Sequence, residues 1–324
     1  MTPIWTTELP YSLTGSMVPV LDAMTGSLLV SDGWGTPFAA LSLRRLSLSD
    51  GEVTGAARVR SAVYSTALSP SPESILVASG KRLLELERAT LRETRRWDKG
   101  VPQYAHRSVR IGELAVCMSS RGPTAGLFNL DDGSCRRKTV GSCQGLYRHD
   151  ARSALVCSGG EGVVTMLDVA EATVKTIAAP GPFIHAAYAD QAAVVLLGLG
   201  VPFDVTGQSV THHRVSGRLA FVRALPDAKV VAMDAPAPFS WMSLSPDGRQ
   251  LVLADGQDVY VCACDGTSVE IAAQHKLPAS LEAALVVHER ELLIAIDTQS
   301  KQGVVSAWRI GLQRSPSLSW LTSA

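Results

Sequence analysis

The chain has no surplus of either charge. Lys and Arg number 30, Asp and Glu number 30, and the formal net charge is +0. A dedicated nucleic-acid surface normally carries a basic excess, so the composition argues against that class. Long apolar runs are also missing, since nothing approaches the ~18 residues of a membrane-spanning helix. The opening residues, MTPIWTTELPYSLTGS, have neither the basic start nor the apolar stretch of a secretion signal. Asparagine occurs once, at Asn129. That scarcity weighs against a hard-cation site, which needs several inward carboxylate or amide oxygens. Six cysteines, at 117, 135, 143, 157, 262 and 264, match no zinc-ligand spacing. Cys262 and Cys264 alternate along one apolar run, so they share a side and are poor disulfide partners. Buried free thiols in a reducing compartment are expected, and with them a cytoplasmic protein with no membrane partner.

Catalytic signatures are equally scarce. The sequence contains no GxSxG, HExxH, GxxxxGKS/T or GxGxxG. The segment GLGVP from Gly198 is Gly-rich, but no helical pattern follows it to offer an N-terminus to phosphate. No cofactor and no metal is expected.

What is present is a faint repeat. An apolar quartet recurs seven times: SLLV at Ser27, SILV at Ser74, ELAV at Glu113, SALV at Ser153, AAVV at Ala192, QLVL at Gln250 and ELLI at Glu291. The spacings are 47, 39, 40, 39, 58 and 41. A period near forty residues is the length of one four-stranded propeller blade. A second strand-like run starts 9 to 13 residues after each quartet, at Phe38, Leu83, Ala125, Val163, Val201, Val259 and Val304. Hairpin signals follow most of these runs, as in LSDGEV, LDDGSC, DVTGQS and ACDGTS. The clearest unit runs from Phe239 to Ala273: FSWMSLS, the turn SPDGR, QLVLA, DVYVCAC, DGT and SVEIAA. Between Lys81 and Trp97 the leucines fit a helix only loosely, and the place in the repeat predicts two strands around Arg88-Ala89-Thr90.

The SPDGR turn and the xDG hairpins resemble those of WD-repeat and YVTN-type seven-bladed β-propellers. Gly-His starts and terminal Trp-Asp pairs are absent from the blades, and the one Trp-Asp, Trp97-Asp98, follows an outer-strand run. The resemblance implies an all-β fold: one domain over residues 1–324, built of seven four-stranded antiparallel blades. The 58-residue interval is the irregular one, and it contains LAFVRAL and KVVAMD. These runs are an extra hairpin, a partial eighth blade over about 211–239, or the sign of a slipped register. Ring closure needs a strand from a chain end, either IWTTEL (4–9) or SLSWLT (317–322).

Two functions fit such a disc. The first is a non-catalytic platform for protein partners, an adaptor or subunit. Its expected contacts are Trp34 in the loop SDGWGTPF with Arg95, Arg96 and Trp97, because Trp and Arg dominate interface hot spots. The basic runs Arg44-Arg45, Arg92 with Arg95-Arg96, and Arg136-Arg137-Lys138 are otherwise expected on solvated edge strands, where charge discourages pairing with other chains. The second is an enzyme of lyase or lactonase type acting on a small molecule at the channel mouth, with His185, His288 and Asp150 as the first candidates. His212-His213 are neighbours on an expected strand and so face opposite sides.

Overall fold

The computed structural model describes residues 2–10, 19–32, 42–59, 63–68, 73–102, 105–119, 122–200, 216–223, 228–278, 281, 283–297 and 302–311. Strand β1 (Trp5–Leu9) comes first. Blade I is β2 (Val20–Asp22), β3 (Ser27–Asp32), β4 (Ser42–Ser47) and β5 (Val53–Arg58). Blade II is β6 (Val63–Leu68), β7 (Ser74–Ser79), β8 (Arg82–Glu87) and β9 (Glu93–Trp97). Blade III is β10 (Arg107–Ile111), β11 (Leu114–Met118), β12 (Thr124–Asn129) and β13 (Cys135–Thr139). Blade IV is β14 (Gly145–Arg148), β15 (Ser153–Ser158), β16 (Val163–Asp168) and β17 (Thr173–Ala178). Blade V is β18 (Phe183–Ala189), β19 (Val194–Leu199), β20 (Ser216–Arg223) and β21 (Val230–Phe239). Blade VI is β22 (Trp241–Leu244), β23 (Gln250–Asp255), β24 (Asp258–Cys264) and β25 (Val269–Lys276). Blade VII is β26 (Ala283–Val287), β27 (Leu292–Asp297) and β28 (Gly303–Arg309), with β1 as its fourth strand.

All seven sheets are four-stranded and antiparallel, as the period predicts. The first strands of successive blades touch, β6 against β10, β10 against β14 and β18 against β22, so they form the inner ring. Second strands are buried on both faces: β15 is covered at every residue, and β7 at all but its first. This explains the apolar quartets, because a strand clamped between two neighbouring blades has no solvent face to alternate with. Outer strands show the opposite pattern. In β9 and β13 almost every residue is at least partly exposed. Burying each Leu, Ile or Val of the second strands stabilises the ring by about 1.5–3 kcal/mol.

The turns follow the local chemistry of the sequence. In SPDGR the Ser245 hydroxyl donates to Asp247 Oδ1 at 2.6 Å and accepts from the Gln250 amide at 2.9 Å. Gly248 supplies the φ of +74° that this turn needs.

Three local expectations are settled by strand pairing. Between Lys81 and Trp97 there are two strands, β8 and β9, not a helix. β20 and β21 pair within the blade V sheet, so LAFVRAL and KVVAMD contribute its third and fourth strands rather than a separate hairpin. The excess length therefore falls between β19 and β20, and the run from Val201 lies outside the described residues, as do His212-His213. In blade I the third strand is described from Ser42, and the start of the run from Phe38 lies outside the described residues.

The N-terminal strand closes the ring. β1 pairs with β28 in register from Trp5 opposite Ala307 to Leu9 opposite Gly303. It also grips blade I: Trp5 Nε1 donates to the Leu48 carbonyl at 3.1 Å and Thr7 Oγ1 to the Gly51 carbonyl at 2.7 Å. The alternative segment, 317–322, lies outside the described residues. Among the described residues no helix is long and apolar enough to cross a membrane.

Candidate functional site: a rim cleft and the central channel

Two concavities stand out. The larger, about 800 Å³, lies on the rim where the end of β9 in blade II meets the β12–β13 turn of blade III. Arg95, Arg96, Trp97 and Lys99 line one side, and Asp131, Asp132, Cys135 and Arg137 line the other. Three of the four residues expected to contact a partner thus share this cleft. The fourth, Trp34, lies outside the described residues.

Arg95, Arg96 and Trp97 belong to the outer strand β9, where the sequence expects strand, but Trp97 is not an exposed contact: it is only 8% exposed. Its indole packs in an interblade cluster with Val101, Cys117, Phe128 and Leu130. Only its rim-facing edge borders the cleft. Arg95 stacks its guanidinium over the Trp97 ring, 4.9 Å from the centroid, and reaches Glu85 at 3.8 Å. Arg96 is held by Glu93 at 2.6 Å. The two arginines are therefore placed by partners already, while Lys99, Arg137, Asp131 and Asp132 complete the charged lining. The wall is also tightly fitted: a Cβ at Gly100 would clash with Cys135 Sγ.

The second concavity, about 420 Å³, is the central channel. Every first strand contributes to its lining, from Val20 on β2 to Leu285 on β26. His185 of β18 lines it, packed on Phe239 with ring centroids 5.6 Å apart. Neither His288 nor Asp150 is part of the lining. Asp150 shapes the β14–β15 turn, where its Oδ1 accepts from the amides of Arg152 and Ser153, both at 2.7 Å. Burial pushes its acidity the other way, but these hydrogen bonds outweigh it and hold the carboxyl below its usual range. His288 sits in the 3₁₀ turn after β26 (His288–Arg290), and neither ring nitrogen has a hydrogen-bond partner. Burial drives its pKa down to about 4 against the opposing charges of Glu289 and Asp247. The three candidate catalytic groups are therefore not assembled around one space. Among the described residues no cluster of three or more His, Cys, Asp or Glu is arranged to hold a metal ion.

Sequence reasoning missed a buried charged network joining blades I, II and III. Arg88 meets Asp22 at 2.5 Å, and Arg110 meets Glu85 at 2.8 Å and the Ser74 hydroxyl at 2.9 Å. Arg45 bonds the backbone carbonyls of Arg88 and Ala89. Arg45 was expected on a solvated edge, yet it is 8% exposed on the third strand of its blade. Only its register opposite Leu29 of β3 could have signalled this.

With this geometry in view, the fold is that of a seven-bladed β-propeller. No protein-family model matches the chain, and no curated protein matches it in sequence. Solved structures match it in shape. A chain of the mitotic checkpoint complex aligns at a TM-score of 0.72 with 13% identity, over 95% of this chain and 92% of that one. A chain of Kuenenia stuttgartiensis hydrazine synthase aligns at 0.69 with 12% identity, over 95% and 97%. The WD40 repeats of RRP9 align at 0.63 with 12% identity, over 93% and 96%. At such identities the likeness establishes the fold, and function must be argued from the site.

Proposed function

We propose that this protein is a non-catalytic interaction platform, an adaptor or subunit that holds protein partners on the rim of a rigid disc. The observation that carries this reading is the rim cleft between blades II and III. It joins an apolar indole edge to arginines fixed in place by Glu85 and Glu93, and pre-placed Trp and Arg are what binding hot spots are made of. Comparable propellers include one solved within the mitotic checkpoint complex, which supports a role in an assembly. Balanced charge favours a protein partner over nucleic acid. Free thiols favour a reducing compartment such as the cytoplasm. An enzyme at the channel mouth is the weaker reading, since only His185 of its three candidates lines the channel.

The test is purification of the tagged protein from its native cells, with Arg95→Glu/Arg137→Glu in parallel and metal analysis of both samples. A stoichiometric protein partner that disappears from the double variant supports the platform. A partner-free protein carrying a stoichiometric divalent metal refutes it, and a partner retained equally by the variant refutes the cleft as the contact.

A further inference from the structure

The rim cleft carries positive charges that its own residues do not neutralise. In β9, Arg95 and Trp97 are two positions apart and share a face. That face meets blade III, because Trp97 packs there with Cys117 and Phe128. In β13, Cys135 and Arg137 likewise share a face, and Cys135 packs against the same interblade cluster. Arg95 and Arg137 therefore stand on facing walls, with Lys99 in the same lining. Arg96 and Arg136 occupy the alternate positions and turn to the other sides of their blades. There Arg96 meets Glu93, and Arg136 donates to the Ala170 carbonyl of blade IV.

Lys99 and Arg137 are exposed, and among the described residues neither belongs to an ion pair. Nor does any ion pair among the described residues join the cleft's cations to Asp131 or Asp132. Asp132 is committed to its own turn: Oδ1 accepts from the Ser134 amide at 2.7 Å and Oδ2 from Asn129 Nδ2 at 3.2 Å. Arg95 is held over the Trp97 ring and shares Glu85 with Arg110, which lies closer to that carboxylate, at 2.8 Å against 3.8 Å. One carboxylate thus answers two guanidiniums, and Arg95 keeps N–H groups for a further oxygen. The Trp97 indole nitrogen lies beside Gly133, where an added Cβ would be 3.5 Å away, and an indole N–H only donates. Both walls therefore offer donors and positive charge, in a space of about 800 Å³.

Resting on the reading of this cleft as the partner contact, we propose that it receives an extended acidic segment of the partner, whose Asp and Glu carboxylates pair with Arg95, Lys99 and Arg137. Arginine clusters are a recurring device for reading acidic peptide motifs. The cleft suits carboxylates better than phosphates. A phosphoryl group concentrates nearly two negative charges at one point, and Asp131 and Asp132 in the lining repel it. Single carboxylates spaced along a chain each meet one cation and stay clear of the aspartates. A nucleic-acid backbone meets the same repulsion.

The experiment is fluorescence anisotropy of the full chain with a labelled peptide that alternates Glu with Ser, beside its Gln counterpart and a version with phosphoserine for Glu. The Glu peptide should bind saturably, and more weakly as salt rises, because exposed charges are screened. The Gln counterpart should bind severalfold more weakly. Lys99→Gln and Arg137→Gln should each weaken the Glu peptide severalfold, and Asp131→Asn should tighten it. Arg136→Gln removes the same charge one residue away on the opposite side, so it should leave the affinity unchanged. All of these side chains are exposed, and the melting temperatures should stay at the native value. The proposal is overturned if the Glu peptide fails to bind at millimolar concentration, or if the Gln or phosphoserine version binds as tightly. It is also overturned if Arg136→Gln weakens binding as much as Arg137→Gln does. A cellular partner lost from Arg95→Glu/Arg137→Glu, alongside failure of the Glu peptide, overturns the acidic segment and leaves the platform standing. Cleft-dependent peptide binding by a protein that purifies without any partner overturns the platform and leaves the acidic-peptide site standing.

Discussion

Arg88 in the β8–β9 turn of blade II donates through Nη1 to Asp22 Oδ1 at the end of β2 in blade I, at 2.5 Å, with both side chains under 5% exposed. Arg45 lies close enough for its charge to be felt: burial lowers its pKa most, Asp22 raises it, and Arg88 lowers it again. One carboxylate thus serves two buried guanidiniums.

Asp22→Asn should therefore cost about 3–5 kcal/mol, because it removes the carboxylate that faces the two buried cations. Asp22→Asn/Arg88→Met should recover part of that loss, since removing both members of a buried pair is far cheaper than removing one. Urea unfolding of the single and double variants measures both. Equal midpoints for Asp22→Asn and the native protein would show that the pair contributes nothing.

Closure by β1 gives a second expectation. A Cβ at Gly51 would lie 2.5 Å from both Trp5 Cε3 and Thr7 Oγ1, at a φ of +76°. Gly51→Ala should destabilise by about 1–3 kcal/mol through strain and displacement of the strand. Deleting residues 1–9 should cost more and broaden the thermal transition. A truncated chain melting as sharply and as high as the full one would show that blade VII closes some other way.

The third expectation concerns pH. His288 has a folded-state pKa of about 4, against an ordinary value of 6.5. The unfolded chain therefore takes up a proton that the folded chain refuses as pH falls from 6.5 towards 4. Stability from this group is fully present above the unfolded value and is lost across that window, by an amount on the order of 3 kcal/mol. His288→Phe should flatten the acid limb of a stability–pH curve while leaving its neutral region little changed. An unchanged acid limb would mean that other groups control it.

A fourth expectation follows from the thiols. Burial raises the pKa of Cys117, Cys143 and Cys262 to about 12 and moves Cys157 and Cys264 further in the same direction. Cys135 alone among the six is partly exposed. Burial raises its pKa as well, with Arg137 opposing. Maleimide at mild alkaline pH should label Cys135 first in the folded protein, with the other five reacting only on unfolding. Mass spectrometry of the labelled peptides decides it, and fast labelling of Cys117 or Cys157 would contradict the packing described.

Trp97 requires separate treatment. Because it is core as well as cleft, Trp97→Ala should lose about 3–5 kcal/mol of stability. Loss of a partner in that variant would not distinguish contact from unfolding, so the charge reversals at Arg95 and Arg137 are the better probes. Circular dichroism melts of the three variants should show a large drop for Trp97→Ala alone.

Legibility in the sequence followed the physics of each element. The blade count was readable because second strands have neighbours on both faces, which forces apolar quartets at a fixed period. In blade V the strand that pairs with β19 is β20, from Arg218 onward, and nothing local marks it over VPFDV, which also has the composition of a strand and lies outside the described residues. Arg45 looked like surface because a basic pair on a strand usually is, and a period of two does not say which member turns inward. At the rim, Arg95, Arg96 and Trp97 were found by residue type, but the burial of Trp97 depends on blade III, distant in sequence. Lys99 and Arg137 gave no signal as a pair, since cations from separate blades acquire a common meaning only when the ring sets them on one cleft.

The pairing of β1 with β28 has a consequence in time as well as in space. Thr6 and Ser306 face each other at 3.1 Å across 300 positions of chain. On a ribosome, β1 has no partner until β28 has been made. Its apolar residues Trp5 and Leu9 must wait uncovered while six blades assemble behind them. Contacts so distant in sequence make for slow completion. A growing chain of this protein is thus an open crescent with a loose sticky end, and the ring shuts only once β28 has been made.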